Sequence, residues 1–246
     1  MSRTHALSTT EERTLVWDGC LNVRDLGGLP TVSGRPTARG AIVRADNLDR
    51  LTAEGWDGLL DHGVRTVVDL RNAEEYKPLL PLPEGVELIR VPLDELAGPA
   101  WWEAYGRLDG TPLALRPYLD HCPHAAAALI AAIAGARPGG LVVHCGAGRD
   151  RTGLAALLLL ALAGVERAAI VEDYLLSGPN VRPLYGMLGL PDPYRRIDAV
   201  LAEAGTTAEA ALSGALDDLD PAGYLLAAGA TPAEVAAVRA RLLPNS

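Results

Sequence analysis

The chain has 246 residues, 49% of them hydrophobic, and a formal net charge of −9 with a sequence pI of about 5.0. That length suits one large domain with a sizeable core, and no apolar run approaches the roughly 18–20 residues of a membrane span. The acidic balance argues against a nucleic-acid or anionic-membrane surface, although a local phosphate site is compatible with it under screening.

Met1 to about Arg13 lacks the apolar core of a signal peptide and reads as loosely attached. Leu15-Val16-Trp17 reads as a short strand. In Asn22-Val23-Arg24-Asp25-Leu26-Gly27-Gly28 the paired glycines mark a turn, and Arg24 and Asp25 read as a pair that locks the loop. Ala41-Ile42-Val43 predicts a strand, with a loop from Arg44 to Leu48 after it. Thr52 suits the N-cap of a helix to about Asp61, and Gly63 suits its C′ position. Val64 to Arg71 is apolar and β-branched, as a buried parallel strand should be. Asp69 and Arg71 stand at its C-terminal end, where such sheets bind ligands. Glu74 to Lys77 begins a solvated helix that Pro78 interrupts, and Val86 to Val91 is another strand, followed by Asp94.

This alternation predicts a three-layer α/β domain around a mainly parallel sheet of about four or five strands. Residues 95–120, with Trp101-Trp102, Tyr105 and Gly110, read as an irregular segment. The tryptophans most simply pack it onto the body, and its length also suits an active-site lid or rim. His124 to Ile133 predicts a helix, with Leu129, Ile130 and Ile133 on its core face.

The chemistry concentrates in residues 141–163. Leu141-Val142-Val143 reads as a buried strand, His144 to Gly153 as a glycine-bearing loop, and Leu154 to Ala163 as a buried helix. A strand, tight loop and helix N-terminus form an anion site, because loop N–H groups and the helix dipole both favour negative charge. Cys145 begins the loop, and a cysteine in such surroundings is held as thiolate near neutral pH. Arg151 can fork two N–H bonds onto a phosphate. Gly146 and Gly148 let backbone approach the ligand, Ala147, Arg149 and Asp150 complete the phosphate-binding loop, and Thr152 places a hydroxyl beside the sulfur. This equipment suits phosphoryl transfer to sulfur. A Walker-type loop needs Gly-Lys-Ser/Thr, whereas the only lysine is Lys77. His121 and His124 read as surface or capping residues; nothing has metal-ligand spacing, so neither metal nor cofactor is expected.

After the loop, Glu166 to Ser177 is an amphipathic helix, and further helices are predicted over about 194–204, 206–219, 221–228 and 231–243. Thr231-Pro232 with Glu234 marks the start of the last.

His144-Cys145-x5-Arg151-Thr152-Gly153 resembles the signature loop of the cysteine-dependent protein tyrosine phosphatases. With Asp150 before Arg151, it is similar to the bacterial tyrosine and dual-specificity group. Asn22 to Gly28, Asp173-Tyr174-Leu175-Leu176-Ser177 and the C-terminal helix also resemble that group. The resemblance implies a protein tyrosine phosphatase-like domain over 1–246, with an ordered core over about 14–243, a helical C-terminal region, and helices in 95–120 covering the active site. It implies hydrolysis of phosphotyrosine, or of a small phosphomonoester, through a cysteinyl phosphate, with inorganic phosphate as product.

His144 and Thr152 are expected in support of Cys145. For the general acid the resemblance favours Asp150 and Asp69, with Asp94 as a rival on a separate loop; Asp69 reads equally well as a salt-bridge partner of Arg71 or Arg151. Arg149 stands where the resembled loops usually carry Lys. A catalytically idle phosphate-binding module is the alternative of a different class. The three cysteines, Cys20, Cys122 and Cys145, suit a reducing compartment, so the expectation is a cytoplasmic protein, with signal-less export left open.

Overall fold

The structure is a computed structural model that describes residues 11–76 and 82–243. Strands β1 (Arg24–Asp25), β2 (Ile42–Ala45), β3 (Val64–Asp69), β4 (Glu87–Arg90) and β5 (Gly140–His144) form one sheet in the order β1-β2-β5-β3-β4. β1 is antiparallel to β2, and the other pairs are parallel. β5 is central: Val142 pairs with Val43 on one side and Val67 on the other. The C-terminal ends of four strands therefore open on one edge, with the last strand inserted between β2 and β3 at a switch point suited to a ligand site.

Alternating side chains feed two core layers, as a sheet covered on both faces requires. Val43, Ala45, Val64, Val67 and Val142 face Trp17, Trp56 and Leu59, under helix α1 (Ala53–Asp61). Ile42, Val68, Leu141 and Val143 face the larger helical layer. That layer contains α2 (Leu93–Tyr105), α3 (Leu115–His121), α4 (Pro123–Gly135) and α5 (Asp150–Leu162). It continues through α6 (Arg167–Leu175), α7 (Ser177–Met187), α8 (Tyr194–Glu203), α9 (Ala208–Ala215), α10 (Pro221–Ala227) and α11 (Pro232–Leu242). The last two helices pack on α4 and α5, so the C-terminus braces the helix that begins at the glycine loop.

The expected caps are present. Thr52 accepts from Gly55 N–H, Gly63 has φ +89°, and Thr231 and Glu234 form a reciprocal capping box with Pro232 in the first turn. Other expectations need correction. Leu15 to Trp17 is not a strand: Leu15 N–H bonds Val23 carbonyl at 3.2 Å, while Trp17 turns into the core. Arg13 is buried in an ion pair with Asp173; Met1 to Thr10, also read as loose, lie outside the described residues. Arg24 pairs with Asp173 and not with its neighbour Asp25, which instead accepts from Gly27 and Gly40 N–H.

The segment read as irregular is largely helical, as the resemblance implied. α2 bends at Gly98, whose φ of +72° and following Pro99 interrupt it, and Trp101 packs edge-on to Trp102 and Tyr118. Ala73–Glu75 form a short 3₁₀ turn; Lys77 and Pro78, expected to continue and break a helix there, lie outside the described residues. No helix among the described residues is long and apolar enough to cross a membrane.

Candidate active site

β5 delivers Cys145 to the open edge of the sheet, and α5 begins five residues later at Asp150. Helical geometry thus starts earlier than the apolar run suggested, which puts Asp150 and Arg151 in the first turn. Between them the chain turns back through Gly148, whose φ is +66°. A Cβ there would lie 2.5 Å from Ala45 carbonyl oxygen, so this position requires glycine. At Gly146 the nearest atoms to such a Cβ are 3.8 Å away, and glycine is not demanded by space.

The loop carbonyls are held from behind. Gly146 carbonyl accepts from Asn47 N–H at 3.0 Å, and Ala147 carbonyl from Asn22 Nδ2 at 3.1 Å. Gly148 carbonyl accepts from Asn22 Nδ2 at 3.0 Å and Arg44 Nη2 at 2.8 Å. A trans peptide holds its C=O and N–H antiparallel, so the N–H groups of Ala147, Gly148 and Arg149 point the other way. None of the three donates to an acceptor among the described residues. Three N–H groups left without a protein acceptor among the described residues at a helix N-terminus are donors that an anion can take up.

Arg151 stands at the rim, held by two carboxylates. Its guanidinium forks onto Glu75, with Nη2 2.9 Å from Oε2, and its Nη1 lies 3.0 Å from Asp94 Oδ2. Burial works against ionisation of Glu75, but the Arg151 fork and Asn72 N–H overcome it and hold the carboxyl below its ordinary value. Asp94 goes the other way. Burial raises it, and the carboxylates of Asp109, Glu75 and Asp150 add to that, while Arg151 only partly compensates; the result is about 6. The Asp94 backbone is fixed by Trp102 Nε1, which donates to its carbonyl at 3.0 Å, and Tyr118 ties the preceding carbonyl at 2.6 Å. Asp94, Asp109, Asp150 and Arg151 line one small cavity with Trp101, Leu115 and Tyr118. The segment 95–120 is thus a wall of the site.

The other two acidic candidates are engaged differently. Arg149 forks onto Asp150 through Nε and Nη2, each at 3.0 Å, and Tyr174 hydroxyl donates to the same carboxylate at 3.3 Å. The forked donor substituted for lysine therefore serves its neighbour and the Gly110 carbonyl. Asp69 is 1% exposed and faces Arg71, with Nη2 at 2.8 Å and Nε at 3.0 Å. Burial opposes its ionisation, yet Arg71 keeps the carboxyl below its ordinary value. His144, 3.6 Å from Asp69, is pushed down by burial against the opposing pull of the Asp69 carboxylate. Arg71 also reaches Asp49 and Asn47, which makes this group a brace for the loop after β2. Thr152 Oγ1 is buried and has no protein partner among the described residues.

Sequence reasoning missed the layer behind the loop. Asp173 is ringed by Arg13 at 2.9 Å, Arg24 at 3.0 Å and Arg44 at 2.6 Å, and Ser177 accepts from the latter two arginines. The only signals for it were the Asn-x-Arg-Asp and Asp-Tyr-Leu-x-Ser resemblances, which carried no roles. Among the described residues no group of three or more His, Cys, Asp or Glu side chains is placed to hold a metal ion.

Comparison with known proteins supports one family. A profile of the tyrosine phosphatase family matches residues 15–244. A Cupriavidus necator protein named as a tyrosine-protein phosphatase is 33% identical, over 70% of this chain and 66% of its own length. A tyrosine-protein phosphatase of Nostoc commune is 34% identical over 56% of this chain and 48% of its own. The triple specificity protein phosphatase PtpB of Mycobacterium tuberculosis is 29% identical over 68% of this chain and 70% of its own. The chain thus spans about two thirds of the first relative and half of the second. With residues 15–244 matched and the loop, its clamp and its sheet position in place, the chain belongs to the tyrosine phosphatase family.

Proposed function

We propose that this protein hydrolyses phosphomonoesters, chiefly phosphotyrosine in proteins, through a cysteinyl phosphate. The observation that carries the reading is the loop itself: Cys145 at the end of β5, three N–H groups free of acceptors among the described residues, and Arg151 at the rim. In the first step Cys145 thiolate attacks phosphorus, an S–P bond forms and the P–O bond to the leaving group breaks. The N–H cradle and Arg151 take the charge of the equatorial oxygens. A carboxylic acid donates a proton to the leaving oxygen; in the second step it takes one from water as water displaces sulfur, which releases inorganic phosphate.

Asp94 fits that acid better than Asp150 or Asp69. Its carboxyl is raised to about 6 despite Arg151 Nη1 at 3.0 Å, whereas the other two carboxylates are forked by Arg149 and Arg71. Asp150 and Asp69 then act as charge partners that fix the loop and the strand end. Thr152 hydroxyl is available to donate to the sulfur as it leaves. The ring of Asp94, Asp109 and Asp150 disfavours substrates with several phosphates and supports a singly phosphorylated group such as a phosphotyrosine side chain. Three free cysteines, one of them the nucleophile, support a reducing, cytoplasmic setting. No metal, cofactor or nucleic-acid partner enters this mechanism.

The test is kinetic: kcat/KM for phosphotyrosine peptides, phosphoserine peptides and a panel of nucleotides, sugar phosphates and phosphoinositides. Phosphotyrosine peptides should lead. A metabolite that outruns them would move the reading to a small-molecule phosphatase, and no turnover of any substrate would leave a phosphate-binding module.

A further inference from the structure

We propose that Asn22 and Arg44 are positioning residues of the phosphate loop: they hold the Ala147 and Gly148 carbonyls outward and so keep the Gly148 and Arg149 N–H groups turned to the phosphate. The proposal rests on the phosphatase reading of Cys145 and Arg151.

The loop has an alternative conformation to be held off. A peptide plane next to a left-handed glycine is free to flip, because glycine tolerates both orientations. Flipping the 147–148 or 148–149 peptide would replace an N–H with a carbonyl oxygen facing the phosphate, turning an attraction into a repulsion. Donors placed behind the carbonyls decide between the two. Asn22 Nδ2 meets both oxygens, at 3.1 and 3.0 Å, and Arg44 Nη2 meets the second at 2.8 Å.

The amide of Asn22 can face only one way round. Its Oδ1 accepts from Arg24 Nη1 at 2.6 Å, so its NH2 must face the loop. Arg24 and Arg44 are in turn fixed by Asp173 and Ser177. All of these groups are buried, so none is free to swing toward solvent. Three arginines surround one aspartate, which leaves positive charge beneath the loop; burial lowers Arg24 to about 9, still protonated at neutral pH. The other charged pairs around the loop are Arg151 with Glu75 and Asp94, Arg149 with Asp150, and Arg71 with Asp69.

The experiment compares wild type, Asn22→Ala, Asn22→Asp and Asn22→Ser. Asn22→Asp keeps the side-chain shape and the acceptor for Arg24 but has no donor. Asn22→Ser is small and uncharged, and it keeps a folded variant available if the others unfold. Leu59→Ala removes a buried side chain of α1 that hydrogen-bonds neither to the loop nor to the arginines behind it, and serves as the control. Tungstate binding by calorimetry, the rate of Cys145 alkylation by iodoacetamide, and thermal melting are measured on each. Tungstate affinity should fall roughly 10–100-fold in the Asn22 variants, as expected for losing hydrogen bonds to a charged ligand. Alkylation of Cys145 should slow roughly threefold or more as the loop loses its fixed geometry. Leu59→Ala should lower the melting temperature while keeping tungstate affinity within about threefold. Folded Asn22 variants with wild-type tungstate affinity and an unchanged alkylation rate would overturn the proposal. Neither binding nor alkylation requires turnover, so a wild type that binds tungstate and has a reactive thiolate but hydrolyses nothing would refute the phosphatase reading alone.

Discussion

Replacing Asp94 by asparagine should make the protein more stable and much less active at the same time. Its carboxyl is raised from 3.8 to about 6, which disfavours the ionised form in the fold by about 3 kcal/mol. The side chain is 22% exposed, so this is an upper figure. Because the folded value lies above the unfolded one, the folded protein holds this proton between about pH 4 and pH 6 while the unfolded chain has released it. Stability therefore falls as pH rises through that window, and above it the full penalty remains. Asparagine has no charge to desolvate. Asp94→Asn should raise stability at pH 7 by up to about 3 kcal/mol, roughly 6–12 °C in melting temperature for a chain of this size, and the gain should vanish near pH 4.

Activity should move the opposite way. Loss of a general acid costs roughly 10²–10⁴-fold where the leaving group needs a proton, as in a phosphotyrosine peptide. It should cost little for 2,4-dinitrophenyl phosphate. In the wild type, kcat/KM for the peptide should decline above about pH 6, and this limb should flatten in the variant. Thermal melts at the two pH values and paired kinetics on the two substrates decide the matter. A variant less stable than wild type at pH 7, or one slowed equally on both substrates, would rule out Asp94 as the acid; selective loss in Asp150→Asn instead would return the acid to the loop.

Cys145→Ser should abolish turnover yet still bind tungstate, since the N–H cradle and Arg151 remain; calorimetry and a steady-state assay check both halves. Gly148→Ala should lower the melting temperature and tungstate affinity together, because its Cβ would lie 2.5 Å from Ala45 carbonyl oxygen at φ +66°, whereas Gly146→Ala should melt near wild type. Asp173→Asn should cost about 3–5 kcal/mol in urea unfolding, since it strips the partner from buried arginines. Burial opposes ionisation of Asp173, but Arg24, Arg44 and Arg13 hold its carboxyl far below the ordinary range. That contribution is complete above the ordinary carboxylate value and should be lost as the medium is acidified below it.

The centre of the site was legible because its chemistry is local. Cys145 and Arg151 stand six positions apart, and the strand and helix that flank them announce themselves by apolar runs. The layer behind the loop was not legible, because Asn22 meets Ala147 and Arg44 meets Asp173 across long stretches of chain. Nothing in Arg24-Asp25 signals that the arginine prefers a partner on α6. The choice among Asp69, Asp94 and Asp150 was equally hidden, since it depends on which arginine takes which carboxylate. Helix α2 was obscured by Gly98 and Pro99, which do break it into two stretches, and α7 by Gly178, Pro179 and Pro183, which the helix nonetheless accommodates.

In the proposed mechanism, the hold of Glu75 and Asp94 on Arg151 governs the interval between turnovers. An arriving phosphate group does not meet an unpaired cation; it displaces carboxylates that already occupy the guanidinium. The gain from that arginine in the ground state is the difference between two ion pairs, not the whole of one. When product departs, the carboxylates resume their places, so the guanidinium suffers no penalty for being abandoned in a half-buried wall. Binding at this position is an exchange of anions. That arrangement limits how firmly free orthophosphate is retained and reserves the clamp for the moment at which the transferring group carries charge in all three equatorial directions.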